Sequence, residues 1–191
     1  MAHPLRRNGQ RLSVARLNVE DAEELRELRR EALRLHPTAF SADPDIESRL
    51  TLADWRERLQ HRRWFGGRIE GTLVGMASFW TEASRKTKHT ARVGSMYVRD
   101  VARGTGMAGE LLEAVLGQAA TQFEQATLSV EASNVRAIRL YERHGFCIVG
   151  RFPRAVLIDG AYYDELEMYR TLSGSDRKCA SFGPRPSTNS G

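Results

Sequence analysis

Residues 103–109 read Arg103-Gly104-Thr105-Gly106-Met107-Ala108-Gly109, and the fold turns on what these glycines are for. Gly104, Gly106 and Gly109 spell G-x-G-x-x-G, and Glu131 falls 22 residues after Gly109. That spacing matches a dinucleotide-binding fingerprint. Three features oppose it. In the fingerprint a strand runs almost straight into the first glycine, whereas here Arg99 to Arg103 intervene. The fingerprint usually opens its domain, whereas here it begins past residue 100. The βαβαβ half needed for a dinucleotide does not continue, because two hairpin strands follow the next helix. A P-loop is excluded more simply, since Gly109 precedes Glu110-Leu111 and not Lys-Ser/Thr. What these readings share is an anion cradle. Glycines let backbone N–H groups turn toward a ligand, the helix starting near Met107 adds its positive end and unpaired amides, and Arg103 adds a charge. A tight strand-to-helix turn without a ligand would use the same residues.

Outward from this segment, period and capping give the elements. Arg11 to Leu17 alternates and reads as an edge strand. Asn18 with Asp21 forms a cap signal for a helix that carries Leu25, Leu28, Ala32 and Leu35 on one face and ends at Pro37. A loop with Pro44 leads to a second cap, Thr51 with Asp54, before Leu52, Trp55 and Leu59. Trp64 to Ile69 and Thr72 to Thr81 form a hairpin around Glu70-Gly71. Thr90 to Val98 is a strand, Gly104 to Gln122 a helix, Ala126 to Ala132 a strand and Asn134 to His144 a helix. Phe146 to Ile158 and Tyr162 to Leu172 pair around Asp159-Gly160. The order β-α-α-β-β-β-α-β-α-β-β predicts an α/β fold, a single-domain three-layer arrangement with a mixed sheet. Residues 1–10 read as a flexible N-terminus, 11–172 as the folded domain, and 173–191, rich in Ser, Gly and Pro, as a disordered tail.

A second block weighs the alternatives. Leu128-Ser129-Val130-Glu131, then Asn134, Ala137, Leu140-Tyr141 and Gly145-Phe146, resembles the L-x-V…N-x-x-A-x-x-L-Y-x-x-x-G-F block of the GNAT superfamily of N-acetyltransferases. Val98 through Ala108 resembles that family's R-x-x-G-x-G/A motif, in the same order and spacing. His36-Pro37-Thr38-Ala39-Phe40, Gly94 to Val98, and Tyr163-Asp164-Glu165 with Met168 are similar to a common bacterial subgroup. The resemblance covers residues 11–172. It implies a mostly antiparallel central sheet splayed between the fourth and fifth strands, with acetyl-CoA as co-substrate and an amine as acceptor. It further implies that backbone groups of Met96 and Val98 pair with the pantetheine arm, and that amides from Arg103, Gly104, Thr105, Gly106, Met107 and Ala108 hold the pyrophosphate. Asn134 would touch the pantetheine, although it is equally an ordinary helix N-cap. Tyr141 would protonate the departing thiolate, although a core aromatic would occupy the same face. Many members of the family dimerise, and a homodimer is compatible with the sequence.

The base is less legible. Some members of the family carry a Glu on the fifth strand where this chain has Ser129. Glu131, two residues on and so on the same strand face, and Glu82, at the end of the third strand, are candidates, as is His89. Each also reads as a solvated surface residue. Asp164 and Glu165 offer charge for a cationic amine or serve as strand-edge charges. The expected reaction is direct attack of a primary amine on the thioester, with a small-molecule acceptor. A peptide or protein acceptor and a silent acyl-CoA-binding module remain alternatives.

Composition excludes several other classes. Of the net charge of +5, Arg6 and Arg7 supply +2 and residues 173–191 a further +2, which leaves +1 on the remainder. No clustered basic face is expected, and so no nucleic-acid ligand. No apolar run of about 18 residues and no signal-like N-terminus exists, so no membrane partner is expected and a cytoplasmic location is. Two cysteines are too few for a disulfide framework, and no metal is expected.

Overall fold

The computed structural model of the chain describes residues 5–7, 10–82 and 84–173. Eight strands form one sheet: β1 (Leu5–Arg7), β2 (Gln10–Arg16), β3 (Arg63–Ile69), β4 (Thr72–Trp80), β5 (Thr90–Val98), β6 (Gln125–Glu131), β7 (Cys147–Ile158) and β8 (Ala161–Thr171). Their spatial order is β1-β2-β3-β4-β5-β6-β8-β7. Among the described residues only β5 and β6 pair in parallel, and every other ladder is antiparallel. Among the described residues five α-helices accompany the sheet: α1 (Ala22–Leu35), α2 (Pro44–Ser48), α3 (Leu52–His61), α4 (Met107–Ala119) and α5 (Val135–Arg143).

Strand alternation splits the core in two. One face of the sheet, with Phe65, Val74, Ala77 and Phe79, packs under α4 through Met107, Leu111, Leu112 and Val115, and takes in Tyr141 of α5. The opposite face, with Trp64, Leu73 and Met76, is covered by α1 and α3 through Leu25, Leu28 and Trp55. This is the expected three-layer α/β arrangement. α4 lies close on the sheet because Gly67 has no side chain there; a Cβ on it would sit 2.2 Å from Met107 Sδ.

The caps act where the sequence places them. Asn18 and Asp21 form a reciprocal capping box ahead of α1, with Glu20 N donating to Asn18 Oδ1 at 2.8 Å. Thr51 and Asp54 do the same for α3. Three expectations are corrected. β1 pairs with β2, so the strand expected at Arg11–Leu17 is not the sheet edge, and part of residues 1–10, expected to be loose, is strand. The segment expected as a loop around Pro44 holds α2, because Asp43 caps it and Pro44 takes a first-turn position that has no hydrogen bond to lose. The helix expected from Gly104 starts at Met107, because Gly104 and Gly106 have positive φ, +81° and +90°. The expected tail after 173 lies outside the described residues.

β5 and β6 pair only over Thr90↔Gln125, Ala91↔Ala126 and Arg92↔Thr127. Just beyond, β5 carries a bulge: Gly94 faces Ser78 and Tyr97 faces Met76, so Ser95 and Met96 together oppose Ala77. Ser95 takes φ +56°, in the left-handed region. A bulge bends and twists its strand, and here it turns β5 off the path of β6. Arg99 then fixes the end of β5, donating to Glu31 of α1 at 2.7 Å and through its backbone N–H to Val74 O at 2.8 Å. A β-branched side chain is poorly tolerated at positive φ. Ser95→Val should therefore lose about 1–2 kcal/mol in chemical denaturation, whereas Ser95→Gly should match or exceed the parent.

Candidate active site

Past Arg92↔Thr127 the two parallel strands diverge toward their C-terminal ends, and each then leads into a helix. β5 passes through a 3-10 turn (Asp100–Ala102) and the glycine segment into α4; β6 passes through Ala132 to Asn134 into α5. Both helix N-termini therefore lie at the open end of the gap. At α4 the N-cap is Gly106, which has no side chain to satisfy the first amides. Thr105 Oγ1 donates to Ala102 O at 2.7 Å and accepts from Met107 N at 3.3 Å, which pins the turn. The first-turn amides beyond Met107 have no intrahelical acceptor. With the helix dipole behind them they suit an anion. Arg103 stands at the rim, paired with Asp100 at 2.5 Å and donating to His36 Nε2 at 3.1 Å.

At α5, Asn134 is the N-cap: its Oδ1 accepts from Ala137 N at 3.1 Å. The Asn134 carbonyl oxygen of the side chain is thus committed, and its NH2 group is left for another contact. Tyr141 is buried, 6% exposed, with its ring edge-on to Phe146. Burial pushes its hydroxyl up to about 12. Met96 and Val98 pack against the same core, on strand positions where β5 has no ladder to β6.

On the other face of the sheet the gap borders a cleft of about 550 Å³, bounded by the segment after α1 (Ala39 to Ala42), the end of α3, Trp64, Trp80, β5 from Arg92 to Ser95, Ser129 and Glu165. Ser129 donates to Glu167 on β8 and accepts from Arg92 at 3.1 Å. Glu165 sits on the same face of β8 as Glu167. Its carboxyl is held above the usual range by burial and then by the neighbouring Glu167 charge, against the pull of Arg92.

A family profile described as the acetyltransferase (GNAT) family matches residues 22–146. The chain belongs to the GNAT acetyltransferase family. An L-methionine sulfoximine/L-methionine sulfone acetyltransferase of Pseudomonas aeruginosa is 30% identical over 125 residues, covering 63% of this chain and 70% of the relative. Two solved structures share the GNAT fold. A GNAT acetyltransferase of Streptococcus pneumoniae has a TM-score of 0.76 at 22% identity and covers 85% of this chain and 99% of its own. YncA of Salmonella typhimurium, solved with acetyl-CoA, has a TM-score of 0.73 at 22% identity and covers 85% of this chain and 95% of its own.

Against this GNAT framework the residues singled out in the sequence divide into two groups. Met96, Val98 and Arg103 to Ala108 lie on β5 and the segment that leads from it into α4, and Asn134 and Tyr141 belong to the helix that follows β6. Glu131, Glu82 and His89 are not on the cleft wall. Glu131 accepts from Ser133 N and Oγ, both at 2.8 Å, closing the turn after β6. Glu82 is exposed and outside the cleft wall. His89 precedes the paired end of β5, away from the opening. Asp164 is committed too, to Arg151 Nε and Arg154 N, both at 2.8 Å, and these bonds hold its carboxyl below the usual range. The cleft residues Arg29, Arg62, Trp64 and Trp80 carried no motif; each reads in the sequence as one more helix or strand residue. Because Asn134 caps α5, Asn134→Ala should lose about 1 kcal/mol, read as a lower midpoint in urea with an unchanged slope.

Proposed function

We propose that the protein is an N-acetyltransferase that moves the acetyl group of acetyl-CoA to the primary amine of a small molecule. One observation carries this reading: the gap where the β5–β6 ladder stops has an uncapped helix N-terminus on one side and a walled cleft on the other. YncA holds acetyl-CoA on the same fold, and the Pseudomonas relative is named for small acceptors. A cleft of about 550 Å³ has room for a small acceptor.

Acetyl-CoA supplies an activated acyl carbon as its thioester. The residues of this chain would divide its binding. Amides from Gly104 to Ala108, with Arg103, would neutralise the pyrophosphate. The unpaired edge of β5 at Met96 and Val98 would take the pantetheine arm as an added strand, and the free NH2 of Asn134 would meet it from α5. The amine attacks the acyl carbon; its C–N bond forms as the C–S bond breaks, the amine gives up a proton, and the thiolate gains one. Tyr141 is assigned the second proton transfer. A hydroxyl with its pKa raised to about 12 is protonated at neutral pH and so has a proton to give.

The first proton is assigned to Glu165. Glu131 and Glu82, the carboxylates suggested by the sequence, lie off the cleft wall, whereas Glu165 lies on it. A carboxyl raised above the ordinary range is a better base near neutrality. A carboxylate on β8 would thus do the work for which Ser129 on β6 has no group.

Thiol release from acetyl-CoA with a panel of amines tests the activity. Turnover with at least one small primary amine is expected; CoA binding without release for any amine would make the protein a silent acyl-CoA-binding module. Tyr141→Phe should lower turnover at least about tenfold with little change in CoA affinity, and an unchanged rate would remove Tyr141 from the mechanism. For Glu165, kcat/KM should fall on the acid side as the carboxyl takes up a proton, at a pH above the ordinary carboxylate value. That limb should stay put when acceptors of different amine basicity are compared, and should be absent in Glu165→Gln.

A further inference from the structure

The cleft is electrically two-ended. At the end formed by α1 and α3 stand Arg29, Arg58 and Arg62, with Glu47 as the carboxylate between them. Arg29 and Glu47 are both buried, 4% and 7% exposed. Arg29 Nε and Nη2 donate to the two Glu47 oxygens at 2.9 and 3.2 Å, and Arg58 Nη1 donates to Glu47 Oε1 at 3.2 Å. One carboxylate is therefore spread over two guanidinium groups. Arg62 has no such partner: among the described residues no carboxylate or carbonyl accepts from its side chain. Its guanidinium carbon lies over the Trp80 ring, 3.7 Å from the centroid. Burial, then the charges of Arg29 and Arg58, push its pKa down to about 10. That end of the cleft carries the positive charges of Arg29, Arg58 and Arg62 against Glu47 in the wall, with Glu82 acting on Arg62 from outside it.

Two further donors in the same wall lack acceptors. Arg29 Nη1 and Trp64 Nε1 are buried without a hydrogen-bond partner, and both residues line the cleft. Buried donors are normally satisfied, and an exception in a native fold calls for an explanation. An unpaired guanidinium over an indole, beside an orphaned guanidinium N–H and an orphaned indole N–H, matches the needs of a small oxyanion, which accepts several charge-assisted hydrogen bonds. At the other end, by the gap, Glu165 and Glu167 outnumber Arg92. The polarity of the cleft thus runs from cation-rich at α3 to carboxylate-rich at β8.

Resting on the reading of this cleft as the acceptor site, we infer that Arg62, with Arg29 Nη1 and Trp64 Nε1, forms a carboxylate subsite, so that the acceptor is an amino acid or similar small amino-carboxylate whose amine is presented to Glu165. The oxyanion satisfies the orphaned donors and offsets the excess positive charge. The ammonium group is drawn to the Glu165 end, releases one proton to solvent to become the attacking amine, and gives a second to Glu165 as the C–N bond forms. An amine without the carboxylate leaves the guanidinium of Arg62 and the two orphaned donors unpaired, which is costly in a dry site.

The test compares matched sets: an amino acid, its carboxamide and its decarboxylated amine, taken across aliphatic, aromatic and polar side chains. Binding to the CoA-loaded protein is read by calorimetry, and acetyl transfer by thiol release. The carboxylate member of at least one set should bind about tenfold or more tighter than its two analogues, as expected for charge-assisted hydrogen bonds. In Arg62→Gln that ratio should collapse toward one, and in Arg62→Lys it should be partly kept; melting curves of both variants establish that they fold. Equal binding of all three members in every set overturns the subsite, as does a ratio that survives in Arg62→Gln. The two readings separate cleanly. Turnover of amines with no carboxylate preference keeps the acetyltransferase and removes the subsite. Carboxylate-dependent binding without thiol release keeps the subsite and removes the acetyltransferase.

Discussion

Everything in the site depends on three pairs of residues. β5 and β6 hydrogen-bond at Thr90, Ala91 and Arg92 and then part. Closed parallel strands would leave no opening between the two faces of the sheet, and the two helix N-termini would have nothing to converge on. The bulge at Ser95 and Met96 keeps the ladder from continuing. It is held in turn by Arg99, which ties the end of β5 to Glu31 of α1, where Tyr97 also donates to Glu31 at 2.8 Å. A local irregularity in one strand is thus maintained by a helix on the far side of the sheet. The backbone edge that β5 leaves unpaired is a strand waiting for a partner, and this makes an extended amide-bearing ligand arm a natural occupant.

The same divergence separates two electrostatic tasks. On the α4 face, positive charge comes from backbone: the amides of an uncapped helix and its dipole. On the α1–α3 face it comes from guanidinium groups, two of them clamped on the buried Glu47. Depressed by its two arginines against the opposing effect of burial, which is the largest single influence, the Glu47 carboxyl stays charged below the usual carboxylate range. That fixed charge holds Arg29 and Arg58 in place and leaves Arg62 to its aromatic neighbours. The fold therefore places two regions of positive charge, different in chemistry, on either side of one opening.

The carboxylates illustrate why a strand-by-strand reading falls short. With Ser129 where some members of the family carry a Glu, the period-2 rule points to Glu131 as the nearest carboxylate on that face. In three dimensions the neighbours of Ser129 are across the ladder, not along the strand. Glu167 lies opposite it, and Glu165 shares that face of β8 with a place on the cleft wall. Glu131 is on the correct face yet turns its carboxylate to the Ser133 amide. Local hydrogen bonding to a nearby backbone N–H competes with any distant task, and this competition is invisible in spacing.

Sequence by itself determined most of the framework. The capping pairs Asn18–Asp21 and Thr51–Asp54, the Glu70-Gly71 and Asp159-Gly160 turns and the switch between periods of 3.6 and 2 act over a few residues, so they can be read without the fold. The glycine segment and the Asn134–Tyr141 helix were legible for the same reason: each is a contiguous piece of backbone geometry whose chemistry travels with it. Tertiary structure alone decided the cleft. Arg29, Arg62, Trp80, Ser129 and Glu165 come from α1, the end of α3, β4, β6 and β8; Ser129 and Glu165 stand in segments the sequence singles out, but nothing local brings them together with Arg29, Arg62 and Trp80. Whether an arginine is paired with a carboxylate, as Arg29 is with Glu47, or left over an indole, as Arg62 is, depends on packing between segments distant in the chain. Periodicity tells which face a side chain takes; it does not tell which partner waits there.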